Sequence, residues 1–137
     1  MSKTGSCLCG AVKIKADNLE SNAGICHCDM CRRWSGGPLF AVDGGSDVSF
    51  EGEENIGVYQ SSDWAERGFC KICGSNLYYR LKQKNQFVRM AGLFDESDYI
   101  LDHQIFIDSK PDYYHFGNET KNMTGEEVFA YFAGTED

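Results

Sequence analysis

Cys26-His27-Cys28-Asp29-Met30-Cys31 places three thiols within six residues, at spacing C-x-C-x2-C. Three neighbouring cysteines do not fit a disulfide scheme, and the total of seven is odd, so a fully paired framework is excluded. A soft divalent metal suits them, because each thiolate supplies one short bond and a tight turn brings all three to one point. An extended chain sends residues i and i+2 to the same side, so Cys26 and Cys28 point together and His27 points away. Three protein ligands leave a tetrahedral metal one position short. A closed structural zinc has four; three with an open position is the catalytic pattern.

The other four cysteines form two knuckles. Cys7-Leu8-Cys9 lies between Gly5 and Gly10, and Cys70-Lys71-Ile72-Cys73 runs into Gly74. Glycine at these places lets the backbone turn tightly around an ion. Together the knuckles supply four sulfurs, the complement of a closed zinc site, and such a site ties the N-terminal segment to the middle of the chain. Its binding free energy is folding free energy, on the order of 10 kcal/mol. The triplet is then left as the open site. Other arrangements stay open at this level. The triplet could share a single ion with one knuckle, or His27 could close its fourth position. An iron–sulfur cluster is chemically possible, although no further cysteine completes four on the triplet.

The elements that must position these groups are short. Val12 and Ile14 alternate with Lys13 and Lys15, which reads as a half-buried strand. Residues 17–22 and 43–47 read as turns. Strand character recurs at 39–42, 48–50, 56–60, 64–69, 76–81, 87–93 and 103–108. Arg32-Arg33-Trp34-Ser35 after the triplet reads as a short helical turn that ends at Gly36-Gly37-Pro38. Thr124-Gly125-Glu126-Glu127 has capping-box spacing and opens a C-terminal helix. Val128, Phe129, Phe132 and Ala133 lie on one face of it, and Gly134 is the stop. Regular strands with few helices predict a mainly β, antiparallel fold in one domain over residues 1–137.

A formal net charge of −8 opposes non-specific binding to nucleic acid or anionic membrane. No apolar run is long enough for a membrane span, and the N-terminal residues lack a secretory apolar core. So many free or metal-bound thiols suit a reducing cytoplasm. Asn118-Glu119-Thr120 and Asn122-Met123-Thr124 match the glycosylation pattern and read as polar loop residues in that setting.

Taken in order, these motifs resemble the glutathione-dependent formaldehyde-activating enzyme family, also described as centromere-protein-V-like. The resemblance rests on Gly5-Ser6-Cys7-Leu8-Cys9-Gly10, Cys26-His27-Cys28-Asp29-Met30-Cys31-Arg32, Ser35-Gly36 and Phe69-Cys70-Lys71-Ile72-Cys73-Gly74-Ser75. His103-Gln104-Ile105-Phe106 with Lys110 resembles the family's C-terminal signature. Where the family often has a tryptophan after that lysine, this chain reads Pro111-Asp112-Tyr113-Tyr114. The resemblance implies a β-tent over a zinc-pinned base. It also implies a structural zinc on Cys7, Cys9, Cys70 and Cys73 and a catalytic zinc on Cys26, Cys28 and Cys31.

The activity expected is a zinc-dependent carbon–sulfur lyase acting on a small thiol–aldehyde adduct, with glutathione and formaldehyde as the pair the family name implies. Arg32 and Arg33 could hold a substrate carboxylate, and Ser35 could line the pocket. His103 could act as acid or base. Lys110 is a candidate anion binder by resemblance. Trp34 and His115 read as packing residues. A methionine-sulfoxide-reductase-like activity would need a nucleophilic cysteine outside the metal groups, and none follows Cys73. The rival reading is a non-enzymatic zinc module that binds a protein partner. It needs only the four-cysteine ion and gives the triplet no task.

Overall fold

A computed structural model describes residues 2–17, 21–43 and 48–134. The chain forms β1 (Ser2–Ser6), β2 (Lys13–Asp17), β3 (Asn22–Cys26), α1 (Asp29–Ser35), β4 (Leu39–Asp43), β5 (Val48–Glu51) and β6 (Ile56–Tyr59). It continues through β7 (Ala65–Cys70), β8 (Asn76–Leu81), β9 (Gln86–Met90), β10 (Ile100–Ile105), β11 (Lys121–Met123) and α2 (Gly125–Gly134). Among the described residues the strands make a three-stranded sheet, β1-β2-β5, and an eight-stranded sheet, β11-β10-β3-β4-β9-β8-β7-β6. Mainly β architecture with two helices, one of them C-terminal, is as expected. No helix in the described residues is long and apolar enough to cross a membrane.

One edge of the large sheet departs from antiparallel pairing. β10 runs parallel to both β3 and β11. Parallel neighbours need a long connection, and the chain supplies one between β10 and β11 through residues 106–120. β10 itself lies earlier than the expected 103–108. Phe106 takes a left-handed conformation with φ 55°, and a 3-10 turn at Ile107–Ser109 follows. The turns expected at 17–22 and 43–47 fall mostly outside the described residues, as do the side chains of Phe132 and Ala133.

The strand read from Val12 to Lys15 is present as β2, with Ile14 and Ala16 inward and the lysines outward. Ile14 and Ala16 pack on Ala23 and Val42 of the large sheet and on Phe94, which follows β9. A neighbouring cluster holds Cys7, Val12, Cys70, Leu77 and Tyr78, and Phe50 touches both. Burying side chains of the size of Ile14 or Leu77 contributes about 1.5–3 kcal/mol each. The capping box closes as read: Thr124 N–H donates to Glu127 Oε1 at 2.9 Å and Glu127 N–H to Thr124 Oγ1 at 3.1 Å. Val128 is buried, whereas Phe129 stays largely exposed and meets the ring of Phe106 edge-on.

Candidate metal centres

The four knuckle thiols meet. Cys7, Cys9, Cys70 and Cys73 present Sγ atoms that all lie within 4.8 Å of one another. The Cys7–Cys9 separation is 3.6 Å and the Cys9–Cys70 separation 3.8 Å. A tetrahedron of sulfurs about 2.3 Å from a zinc ion has edges of about 3.8 Å, so these spacings fit the ion. Val12 N–H donates to Cys7 Sγ at 3.3 Å and Cys73 N–H to Cys70 Sγ at 3.5 Å, contacts that favour thiolates. Ser75 Oγ lies 3.2 Å from Cys73 Sγ and holds that thiol down at about 5. Gly10 and Gly74 adopt φ of 81° and 79°, the turns expected at these places.

Cys26, Cys28 and Cys31 form the second group, again within 4.8 Å. Cys26 ends β3. Cys28 caps α1 with its sulfur, which accepts the Cys31 N–H at 3.4 Å. The expected helical turn therefore starts earlier than Arg32 and carries Cys31 itself. Gly36 closes it at φ 79°, donating to Arg32 O at 2.8 Å. Hydrogen bonds first from Cys26 and then from Cys31 pull the Cys28 thiol strongly down, and the same crowding pushes Cys26 up. Three sulfurs that compete for one charge are the donor set of a soft cation.

His27 takes no part in either group. It is fully buried on the opposite side, as the i, i+2 argument requires. Gln104 Nε2 donates to Thr120 Oγ1 at 2.9 Å, which leaves Gln104 Oε1 to accept from His27 Nε2–H at 2.7 Å. Tyr114 O–H then donates to His27 Nδ1 at 2.8 Å. Burial holds the imidazole below its ordinary 6.5 and therefore neutral. In the window between the two values the unfolded chain binds more protons, so this stabilisation is complete above 6.5 and is lost as pH falls. His27→Gln is expected to lower stability by about 1–3 kcal/mol at neutral pH and to flatten the loss below it. Melting curves of both proteins across that range check this; parallel pH dependences would show that His27 does not titrate on unfolding.

Register decides what faces the triplet. His103 aligns with Gly24, Ala41 with Gly24 and Met90, Val88 with Tyr79, and Tyr79 with Arg67. Paired residues share a face, so Cys26, Tyr79, Arg67 and His103 lie on one face of the large sheet. The His103 ring lies across Gly24, where a Cβ would come within 2.0 Å of its Nε2, and its Nδ1 meets Asp102 Oδ1 at 2.6 Å. Arg67, which nothing in its local sequence singled out, is 2% exposed and brings both Nη atoms to Cys31 Sγ, at 3.7 and 3.6 Å. Arg67 is three residues before Cys70 on β7. That odd spacing sends the two to opposite faces, so one strand serves both sulfur groups.

The remaining candidates sit around α1. Arg32 is committed locally: Nε donates to His27 O at 2.9 Å and Nη2 pairs with Asp29. Arg33 is exposed and has no ion pair among the described residues. Asp29, Arg32, Arg33, Gly36, Gly37 and Tyr113 line a cavity of about 530 Å³. Ser35 is exposed and does not line it. Lys110 turns back on its own segment, donating to Pro111 O at 3.0 Å and to Tyr114 O. Trp34 packs under the Arg67 guanidinium, at 5.1 Å from ring centroid to Cζ. His115, expected to pack, is exposed.

Comparison with known proteins shows the family of the chain. The family described as glutathione-dependent formaldehyde-activating enzyme matches residues 2–109. A Schizosaccharomyces pombe protein named as an uncharacterized lyase is 42% identical over 126 residues, which covers 90% of this chain and 92% of that protein. The crystal structure of a Rhodobacter sphaeroides protein superposes with a TM-score of 0.60 at 27% identity, over 69% of this chain and 89% of the other.

Proposed function

This chain belongs to the glutathione-dependent formaldehyde-activating enzyme family, and on that premise we propose that it is a zinc-dependent carbon–sulfur lyase. Its substrate would be the adduct of a small thiol and an aldehyde, S-hydroxymethylglutathione from glutathione and formaldehyde being the pair the family name points to. The observation that carries this reading is the contrast between four convergent sulfurs and three. The four-sulfur group would hold a structural zinc that joins the Cys7–Cys9 turn to the β7–β8 turn, the pinned base of a β-tent. The three-sulfur group would hold a second zinc, which when bound supplies Lewis acidity that favours the ionised form of a substrate thiol. We read residues 1–137 as one such domain working in the cytoplasm.

The residues of the chain set the rest. In adduct formation the substrate sulfur adds to the aldehyde carbon, one C–S bond forms, and the thiol's proton ends on the former carbonyl oxygen. His103, on the face that carries Cys26 and oriented by Asp102, would move that proton. Asp102 accepts from Nδ1, which leaves Nε2 for the reacting atoms. The cavity beside α1 falls in the usual ligand range of about 300–1,000 Å³. Arg33 would meet a substrate carboxylate there, while Arg32 holds the Cys28 turn in shape.

Two measurements test this. Exchange spectroscopy on thiol–aldehyde mixtures should show catalysed adduct formation and cleavage, with two zinc ions per chain. One tightly held zinc and no exchange with any pair would leave the protein-binding module. Arg33→Ala should raise KM for carboxylate-bearing thiols by about fivefold, the scale of an exposed charge contact, and leave uncharged thiols unchanged. Equal effects on both classes would remove Arg33 from the substrate site.

A further inference from the structure

Arg67 combines features that its fold position alone does not explain. Its guanidinium is buried between two aromatic rings, 5.1 Å from the centroid of Trp34 and 4.8 Å from that of Tyr79. Burying a cation without a counter-charge is costly, and rings offset only part of that. Among the described residues no carboxylate pairs with it. Its polar contacts among those residues are instead two Nη donors on a single sulfur, Cys31 Sγ, while the buried Nε has no partner there. A guanidinium placed to satisfy hydrogen bonds would not double up on one sulfur and leave Nε bare. The charge of the thiolates accounts for its position.

The consequence lies in the charge count of the triplet. Three thiolates around a divalent ion carry one net negative charge. A fourth, anionic ligand would raise that to two in a half-buried site. Arg67 cancels one of them. A neutral donor needs no such cancellation.

Resting on the reading of Cys26, Cys28 and Cys31 as a metal centre, we propose that Arg67 is a positioning residue that lets this centre accept an anionic sulfur from a small thiol in preference to a neutral donor. On binding, the thiol surrenders its proton to solvent. Arg67 touches Cys31, not the ligand, and acts through the charge and orientation of that sulfur.

The test uses the full chain loaded with cobalt(II), whose visible and near-ultraviolet bands report each sulfur added. Wild type, Arg67→Met and Arg67→Lys are titrated with 2-mercaptoethanol, which has no carboxylate for the α1 arginines, and separately with imidazole. Arg67→Met is expected to weaken thiol binding by about tenfold or more, the scale of a lost contact to a charged group, with imidazole binding nearly unchanged. Arg67→Lys should retain part of the preference. Thiol binding unchanged in Arg67→Met, or thiol and imidazole weakened alike, would overturn the proposal. If Arg67→Met fails to load the second ion, Arg67→Lys decides: loading with thiol preference supports a role of charge, and failure of both shows packing alone and overturns it. A wild-type chain that takes up a single ion would instead overturn the two-centre reading itself.

Discussion

Cys70→Ser is expected to leave no cooperative thermal transition, whereas Cys31→Ser leaves a folded chain with one metal ion fewer and no activity. Cys70 is fully buried and packs with Val12, Leu77 and Tyr78, so its sulfur is at once a core atom and a proposed ligand. Four-thiolate zinc contributes on the order of 10 kcal/mol to small domains, comparable to the whole stability of about 5–15 kcal/mol. Removing one sulfur also frees the turn before β2 from the turn after β7, which meet nowhere near each other in sequence. Cys31 is buried too, but its group gathers three residues from a single short segment and closes no long loop. Its loss should lower the melting temperature by only several degrees, the effect of about 1–2 kcal/mol. Zinc stoichiometry and melting of both variants decide the matter. If both lose the fold equally, the division into structural and functional ions is wrong.

Gly5→Ala should be nearly as damaging, for a reason unconnected with metal chemistry. A Cβ at Gly5 would lie 2.0 Å from Leu93 O, 2.6 Å from Leu93 C and 2.8 Å from Phe94 Cα. All three are backbone atoms and cannot swing aside. β1 would have to separate from the 91–94 segment, breaking the Gly5–Phe94 bridge and shifting Cys7 two residues on. The expected cost is at least about 3 kcal/mol, with weaker retention of the first zinc in chelator competition. Gly24→Ala is the control. The three atoms nearest its Cβ all belong to the His103 imidazole, a side chain able to turn away, so stability should fall by about 1 kcal/mol. A Gly5→Ala protein as stable as Gly24→Ala would show that β1 is not held where the structure has it.

How much was legible beforehand follows the range of the interactions. The knuckle glycines Gly10 and Gly74 were readable because a tight turn is a local demand. Gly5 looked like the same signal, yet it serves a close approach to residues almost ninety positions away. β2 and the Thr124 capping box were readable because their patterns repeat within a few residues. β3 was not: Asn22-Ala23-Gly24-Ile25-Cys26 is buried on both faces through its middle and shows no alternation. β11 is three residues long, and its pairing with β10 rather than its composition makes it a strand.

Ligand chemistry and spacing in the sequence favoured a group of four and a group of three cysteines and turned His27 away from both, because sulfur count and strand sidedness are local properties, and the structure removed the alternatives by converging the sulfurs in those two groups. The tertiary structure alone placed Arg67 against Cys31, His103 over Gly24, and Gln104 with Tyr114 around His27. Each of these contacts joins strands or segments that only sheet register aligns, and a shift of one residue would send the same side chains to the other face.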